Sequence, residues 1–279
     1  MENPIENRAV KIETITTPEG NQVSFCPERG GIITSIKFKG KEILYLDEAT
    51  LQNPKVNVKG GIPILFPNAG PLEGPQYPNL KQHGFARDSS RWKTKKSKKG
   101  FRETLTSSEE TKKMFPVDFR LSIDANFREN GSFSVDQEVE NLEDNEELPL
   151  SMGLHPYFKV PQDKKSEIKF NFDGGKFIEE QIEVWANGKA ISIDNPKVKD
   201  SNAVMEVVIP GLGTLVIDAS PEFRKIWIWS MPGKDFVCVE PVMRNKGGLV
   251  VDPEKVKPGE TFHSRVNFRL KEWKNPLFD

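Results

Sequence analysis

A chain of 279 residues with a formal net charge of −1 and 36% hydrophobic residues is long enough for a large β domain, and its balanced charge gives no reason to expect a nucleic-acid or membrane partner. Two cysteines as far apart as Cys26 and Cys238 make neither a disulfide framework nor a zinc cluster. The opening "MENPIENRAVKIETI" lacks the basic-then-apolar order of a secretory signal, and no apolar run approaches membrane-spanning length, so a cytoplasmic location is the expectation.

In chain order, "NQVSFCP" is the first clear strand pattern. The segment from Lys59 to Asn79, "KGGIPILFPNAGPLEGPQYPN", is too crowded with proline and glycine for a helix or a regular strand. Its apolar run Ile62, Ile64, Leu65 and Phe66 argues for an ordered loop, and ordered loops of that length are usually functional. The basic run from Lys93 to Lys99, "KTKKSKK", contains no interleaved aromatics, so it reads as a solvated hairpin turn rather than a phosphate-backbone contact. Ser107 to Pro116 predicts a short helix, capped by Ser107 or Ser108 and ended by Pro116.

Two-residue alternation then dominates. Leu121, Ile123, Ala125 and Phe127 share one face, as do Ile168, Phe170 and Phe172, and later Val266, Phe268 and Leu270. "GSFSVDQEVEN" and "MEVVIPGLGTLVIDA" add further strands, and "RKIWIWS" is apolar on both faces and so belongs in the middle of a sheet. Asn141 to Pro149 is charged, but the strand patterns closely flanking it favour a turn over a domain boundary. The expectation is an all-β, large antiparallel sandwich or barrel, one domain over 1–279 with its core at about 20–270.

Three islands interrupt the alternation: "HGFARDSSRW", "SMGLHPYFKV" and "DFVCVEPVMRNKGG". They hold His83 and Arg87, His155, and Glu240. A carboxylate that ends an apolar strand immediately before proline is costly unless it has a partner, and a histidine and a glutamate can divide a proton transfer between them. Taken singly, each has a plain reading: His83 and His155 as hydrogen-bonded structural histidines, Glu240 as a strand-end acceptor, Arg87 as a surface charge. His263 lies in an alternating strand and reads as structural, and Cys238 as a small core residue. Nucleophile-elbow, P-loop, dinucleotide-binding and zincin motifs are absent. Two histidines without a third ligand at fixed spacing give no case for a metal, and no cofactor is expected.

The ordered set "GGIPILFPNAG", "HGFARDSSRW", "GLHPYF" and "FVCVEP" resembles the aldose 1-epimerase (mutarotase) family, most nearly the branch that includes the glucose-6-phosphate 1-epimerases, over about Gly20 to Leu270. The resemblance implies a galactose mutarotase-like β-supersandwich and an isomerase that interconverts α and β anomers by opening and reclosing the sugar ring. It implies His155 as general acid and Glu240 as general base, with His83 and Arg87 binding the sugar and Asn68 and Lys59 beside them. On this view burial makes Glu240 a better base, and nearby carboxylates keep a proton on His155. An acidic residue that binds sugar hydroxyls has no clear motif; Asp173 and Asp194 are candidates.

For the substrate, the resemblance weighs a free aldohexose above a hexose 6-phosphate, because relatives acting on phosphosugars tend to carry an arginine before "GGIP" and aromatics after "FP", where this chain has Lys59 and Asn68-Ala69. Lys59, Arg87, Arg91 and Arg244 are the candidate phosphate contacts. A non-catalytic sugar-binding protein on the same fold would need no acid–base pair, and a glycoside hydrolase would need a second carboxylate. A monomer is expected, with a dimer as the alternative.

Overall fold

The computed structural model describes residues 9–72 and 75–271. Glu73 and Gly74 of the proline- and glycine-rich loop, the first eight residues and residues 272–279 lie outside the described residues. Among the described residues, no helix is long and apolar enough to cross a membrane.

The alternating segments build an antiparallel sheet of eight strands. Its centre is Gly213–Ala219, Thr261–Lys271, Phe133–Asn141, Phe119–Phe127 and Gly100–Thr106, each hydrogen-bonded to the next. Phe119–Phe127 shows why these were legible: Leu121, Ile123, Ala125 and Phe127 face the core, while Arg120, Asp124 and Asn126 face water or its edge. The "KTKKSKK" run forms strand Lys93–Lys96 and the turn into Gly100–Thr106. The segment "MEVVIPGLGTLVIDA" is a hairpin of Met205–Ile209 and Gly213–Ala219. The short helix is Glu109–Lys112, where Ser108 and Thr111 form a reciprocal capping box.

A second sheet runs Ile191–Asp194, Lys225–Trp229, Phe236–Val242, Gly153–Leu154 and Ile64–Leu65, with Tyr157–Lys159 also paired to Phe236–Val242. One face packs on the large sheet. Ile226, Ile228, Val237, Val239 and Phe158 join Leu121, Val135, Ile217 and Phe268 in a single core, and the Phe158 and Phe268 rings meet at 5.8 Å between centroids. The strand Lys225–Trp229 is internal, as its two apolar faces predicted. Its faces differ: Ile226 and Ile228 point into the core, and Trp227 and Trp229 point to the opposite side, where the functional islands gather. The result is the large antiparallel β-sandwich expected from the pattern.

Candidate active site

All seven residues of Phe236–Val242 are buried, although the strand carries a glutamate. Alternation turns Val237 and Val239 to the core and Phe236, Cys238 and Glu240 to the other face. His155 sits between Gly153–Leu154 and Tyr157–Lys159, both of which pair with that strand. The pairing brings His155 Nε2 to 3.5 Å from Glu240 Oε1, with both side chains almost fully buried. Tyr157 lies flat against the His155 ring, centroids 4.6 Å apart and planes 7° apart, and Trp229 meets the same ring edge-on at 5.7 Å. The imidazole is therefore held on two sides by aromatic rings, and its Nδ1 has no hydrogen-bond partner among the described residues.

The proline- and glycine-rich loop and the "HGFAR" turn close the site. His83 has a positive φ of 68°, an uncommon conformation for a side-chain-bearing residue. Gly84 follows at φ 70°, and a Cβ there would meet the Phe66 carbonyl oxygen at 1.9 Å, so only glycine fits this crossing. His83 is locked from both ends: its own N–H donates to Gly70 O at 3.0 Å, and Gly70 N–H donates to His83 Nδ1 at 2.9 Å. That bond assigns the ring proton to Nε2, 3.1 Å from the Gln82 amide nitrogen, so the amide must turn its oxygen toward the ring to accept it. The His83 and His155 rings are 5.6 Å apart.

His83, His155, Glu240, Arg87 and Lys59 thus line one cleft of about 520 Å³. Lys81, Gln82, Tyr157, Trp227, Trp229 and Lys246 complete much of its wall. The Lys59 ammonium stands 5.4 Å from the centre of the Trp229 ring. Arg87 donates from Nη2 to Gln82 O at 3.2 Å, and its buried Nε has no partner among the described residues. A wider depression of about 930 Å³ lies on the solvent face of the large sheet. Arg128 and Arg265 there are bound to Asp136, and Lys197 to Asp218. It offers paired surface charges and no poised acid–base couple.

Electrostatics sharpen the contrast between the cleft's two titrating partners. Burial pushes the Glu240 carboxyl well above its usual range. Burial, followed by the nearby His83, Arg87 and Lys59, holds His155 well below the usual histidine range. His83 is pulled down to about 3, first by burial and then by Arg87 and Lys59. The expectation that carboxylates surround His155 is corrected: cations surround it, and Glu240 is the one carboxylate among the described cleft residues. Both shifts favour the uncharged form of each group.

Other expectations also change. Asn68 does not line the cleft; its side chain is fully buried and donates to Gly70 O at 2.8 Å, which shapes the loop from beneath. Asp173 is bound to Lys199 and Asp194 to Lys225, away from the cleft. Arg244 is engaged by Asp252 and Glu254, and Arg91 lines a separate depression beside Glu110. His263 is exposed on the large sheet, 3.9 Å from Glu138. The residues that sequence reasoning passed over are Lys81, Lys246, the two tryptophans and Tyr157. The alternation of isoleucine with tryptophan in "KIWIW" was the available signal for the tryptophans. The two lysines carried none.

A family model described as aldose 1-epimerase matches residues 12–269. A protein of Cenchrus ciliaris, provisionally named glucose-6-phosphate 1-epimerase, is 26% identical over 272 residues, covering 85% of this chain and 78% of that protein. One of Escherichia coli strain K12 with the same provisional name is 36% identical over 138 residues, covering 47% of this chain and 43% of its own length. A crystal structure from Synechocystis sp. PCC 6803 superposes with a TM-score of 0.80 at 25% identity, covering 96% of this chain and 99% of that one. The fold is shared with a galactose mutarotase related enzyme of Lactobacillus acidophilus, at a TM-score of 0.72 and 20% identity, covering 94% of this chain and 98% of that one.

Proposed function

The chain belongs to the aldose 1-epimerase family, and we propose that it interconverts the α and β anomers of an aldohexose phosphate, with His155 and Glu240 moving the protons. The observation that carries this reading is the buried His155–Glu240 couple, 3.5 Å apart, at the wall of a cleft rich in cations and tryptophan.

Ring opening requires a base at the anomeric hydroxyl and an acid at the ring oxygen. A couple that shares one proton supplies both. With Glu240 protonated and His155 neutral, the roles in opening are the reverse of those the resemblance implied: His155 takes the hydroxyl proton while Glu240 gives one to the ring oxygen. Rotation about C1–C2 exposes the other face of the carbonyl, and closure runs the same transfers backwards. The reaction therefore needs both allocations of the proton within one cycle, and a start with the proton on Glu240 is compatible with either anomer as substrate. A positioned acid or base of this kind contributes about 10²–10⁴ in rate.

The phosphate reading rests on charge. Lys59, Lys81, Arg87 and Lys246 all reach the cleft, and Glu240 is the only carboxylate among its described residues. Burial lowers the pKa of Lys59 and of Arg87, of Arg87 even with Asp88 nearby, so both are desolvated cations at the cleft. A phosphate dianion would pair with such cations, and it would also offset the positive field that adds to burial in lowering the pKa of His155. Sequence alone favoured a free aldohexose because Lys59 replaces an arginine; Lys81 and Lys246 tip the balance the other way. The relatives' provisional names point in the same direction. Trp227 and Trp229 supply apolar faces for the C–H side of a pyranose.

The test is the optical rotation of freshly dissolved α-glucose 6-phosphate, α-glucose and α-galactose, with and without the protein. Faster decay for the phosphate than for the free sugars is expected. Equal or faster decay for a free sugar would overturn the phosphate assignment and keep the epimerase. No acceleration of any of them would overturn both.

A further inference from the structure

Three side chains at the heart of the site form a cluster that proton transfer does not use in full. Cys238 and Glu240 are two positions apart on one strand, so they share a face. One ligand atom each from His155, Cys238 and Glu240 lies within 4.8 Å of the other two, and all three residues are buried. We infer that these residues form a reversible binding site for a thiophilic divalent cation of the Zn²⁺ class, whose occupation stops proton transfer. The inhibitory half of this statement rests on the acid–base reading above; the binding half does not.

The donor set selects the ion. Imidazole nitrogen, thiolate sulfur and carboxylate oxygen are the three ligand types zinc takes, whereas magnesium and calcium prefer oxygens alone. The geometry is close to what the ion needs. A tetrahedral zinc with bonds of about 2.0–2.3 Å sets its ligands about 3.3–3.6 Å apart. His155 and Glu240 already stand at 3.5 Å. Only the thiol has to close in, by up to about 1.5 Å against that spacing. Cys238 and Glu240 are fixed on one strand and His155 is held between two short strands paired to it, so little ordering is needed. The fourth position would face the cleft, the arrangement of zinc sites that keep an exchangeable ligand.

Charge balances on binding. The ion displaces the Cys238 thiol proton and the proton shared by the couple, and two anionic ligands then neutralise the dication. Two features keep the site reversible rather than structural. His155 Nδ1 lacks the outer acceptor that usually stiffens a metal-bound histidine, and Lys59 and Arg87 are close enough to oppose a dication. Cys26, the other free cysteine, has no such partners among the clusters of the described residues.

The experiment titrates the full chain with Co²⁺, a zinc surrogate with visible spectra. A thiolate-to-cobalt charge-transfer band should grow to one equivalent, disappear on adding Zn²⁺, persist in Cys26→Ser, and be lost in both Cys238→Ser and Cys238→Ala. Without metal, the Cys238 variants should retain anomer interconversion and near-native circular dichroism, while needing at least about 10-fold more Zn²⁺ for half-inhibition. Absence of the band in the wild type, or its survival in both Cys238 variants, would overturn the site. A band that responds as described in a protein without epimerase activity would uphold the site and overturn the functional reading.

Discussion

Glu103 and Glu240 are two carboxyls that the fold buries on sheet strands, and they differ in everything except burial. Glu103 is fully buried on Gly100–Thr106, with one oxygen 3.4 Å from the Thr94 hydroxyl and the other without a partner. It is wedged beside Trp92 and under Gly31, where an added Cβ would lie 2.5 Å from Glu103 Oε2. Burial raises it to about 8. Glu240 is raised by the same cause, but it borders a cleft and has His155 at 3.5 Å. A displaced pKa therefore marks burial, and a displaced pKa with a titrating partner and an opening marks a site. The large sheet's solvent face gives the third case: Arg102 is bound to Asp124 and Glu138, and these charges are paired and wet.

The comparison breaks most readily at Glu240. Glu240→Gln should lower turnover by at least about 10², and His155→Gln by a similar factor, with the fold retained. The double variant should be far less impaired than the product of the single effects, since the pair acts as a unit. Glu103→Gln, by contrast, should leave turnover unchanged and alter stability. A carboxyl that titrates near 4.5 when unfolded and near 8 when folded binds its proton more tightly in the native state. Its contribution is fully present below about pH 4.5 and is lost as pH rises to about 8, at about 1.4 kcal/mol per unit. Denaturant melts of Glu103→Gln against wild type should show a stability gap that widens in favour of the variant across that window. An equal loss of turnover in Glu103→Gln would erase the distinction between the two carboxyls.

Arg87→Ala and Lys59→Ala sharpen the cleft side of the comparison. Each should raise KM for a hexose 6-phosphate by about 10-fold, the scale of one charge-assisted contact, with little change for the free sugar. The pH profile of kcat/KM should show a broad plateau through neutrality. Activity falls on the acid side when His155, held well below 6.5, gains a second proton for the pair. It falls on the alkaline side when Glu240, held well above 4.5, loses the shared one. A limb near pH 4.5 that vanishes in Glu240→Gln would reverse the allocation. The smallest effect belongs to the wet surface: Asp124→Asn should cost less than about 1 kcal/mol and leave turnover untouched.

Much of the large sheet was legible because its outer face is wet. Arg120, Asp124, Glu138 and Arg265 alternate with Leu121, Val139 and Val266, and one face against water prints a period of two. The second sheet printed less. Gly153–Leu154 and Ile64–Leu65 are too short to show a period, and Phe236–Val242 is buried on both faces. Its candidate site residues stand out as interruptions, where polar groups stand inside apolar runs. That signal does not distinguish a polar group facing a cleft from one facing a turn, which is why Asn68 was misplaced and why Lys81 and Lys246 were passed over. Their approach to the cleft depends on how distant loops fold over the sheet.

The central claim is that Glu240 and His155 share the proton that opens and closes the ring. Exchange NMR between the α and β anomeric protons of glucose 6-phosphate measures this directly. Wild-type protein should produce exchange cross-peaks, and Glu240→Gln, folded and still able to bind the sugar phosphate, should slow that exchange by at least about 10². Exchange in Glu240→Gln at close to the wild-type rate would contradict the account.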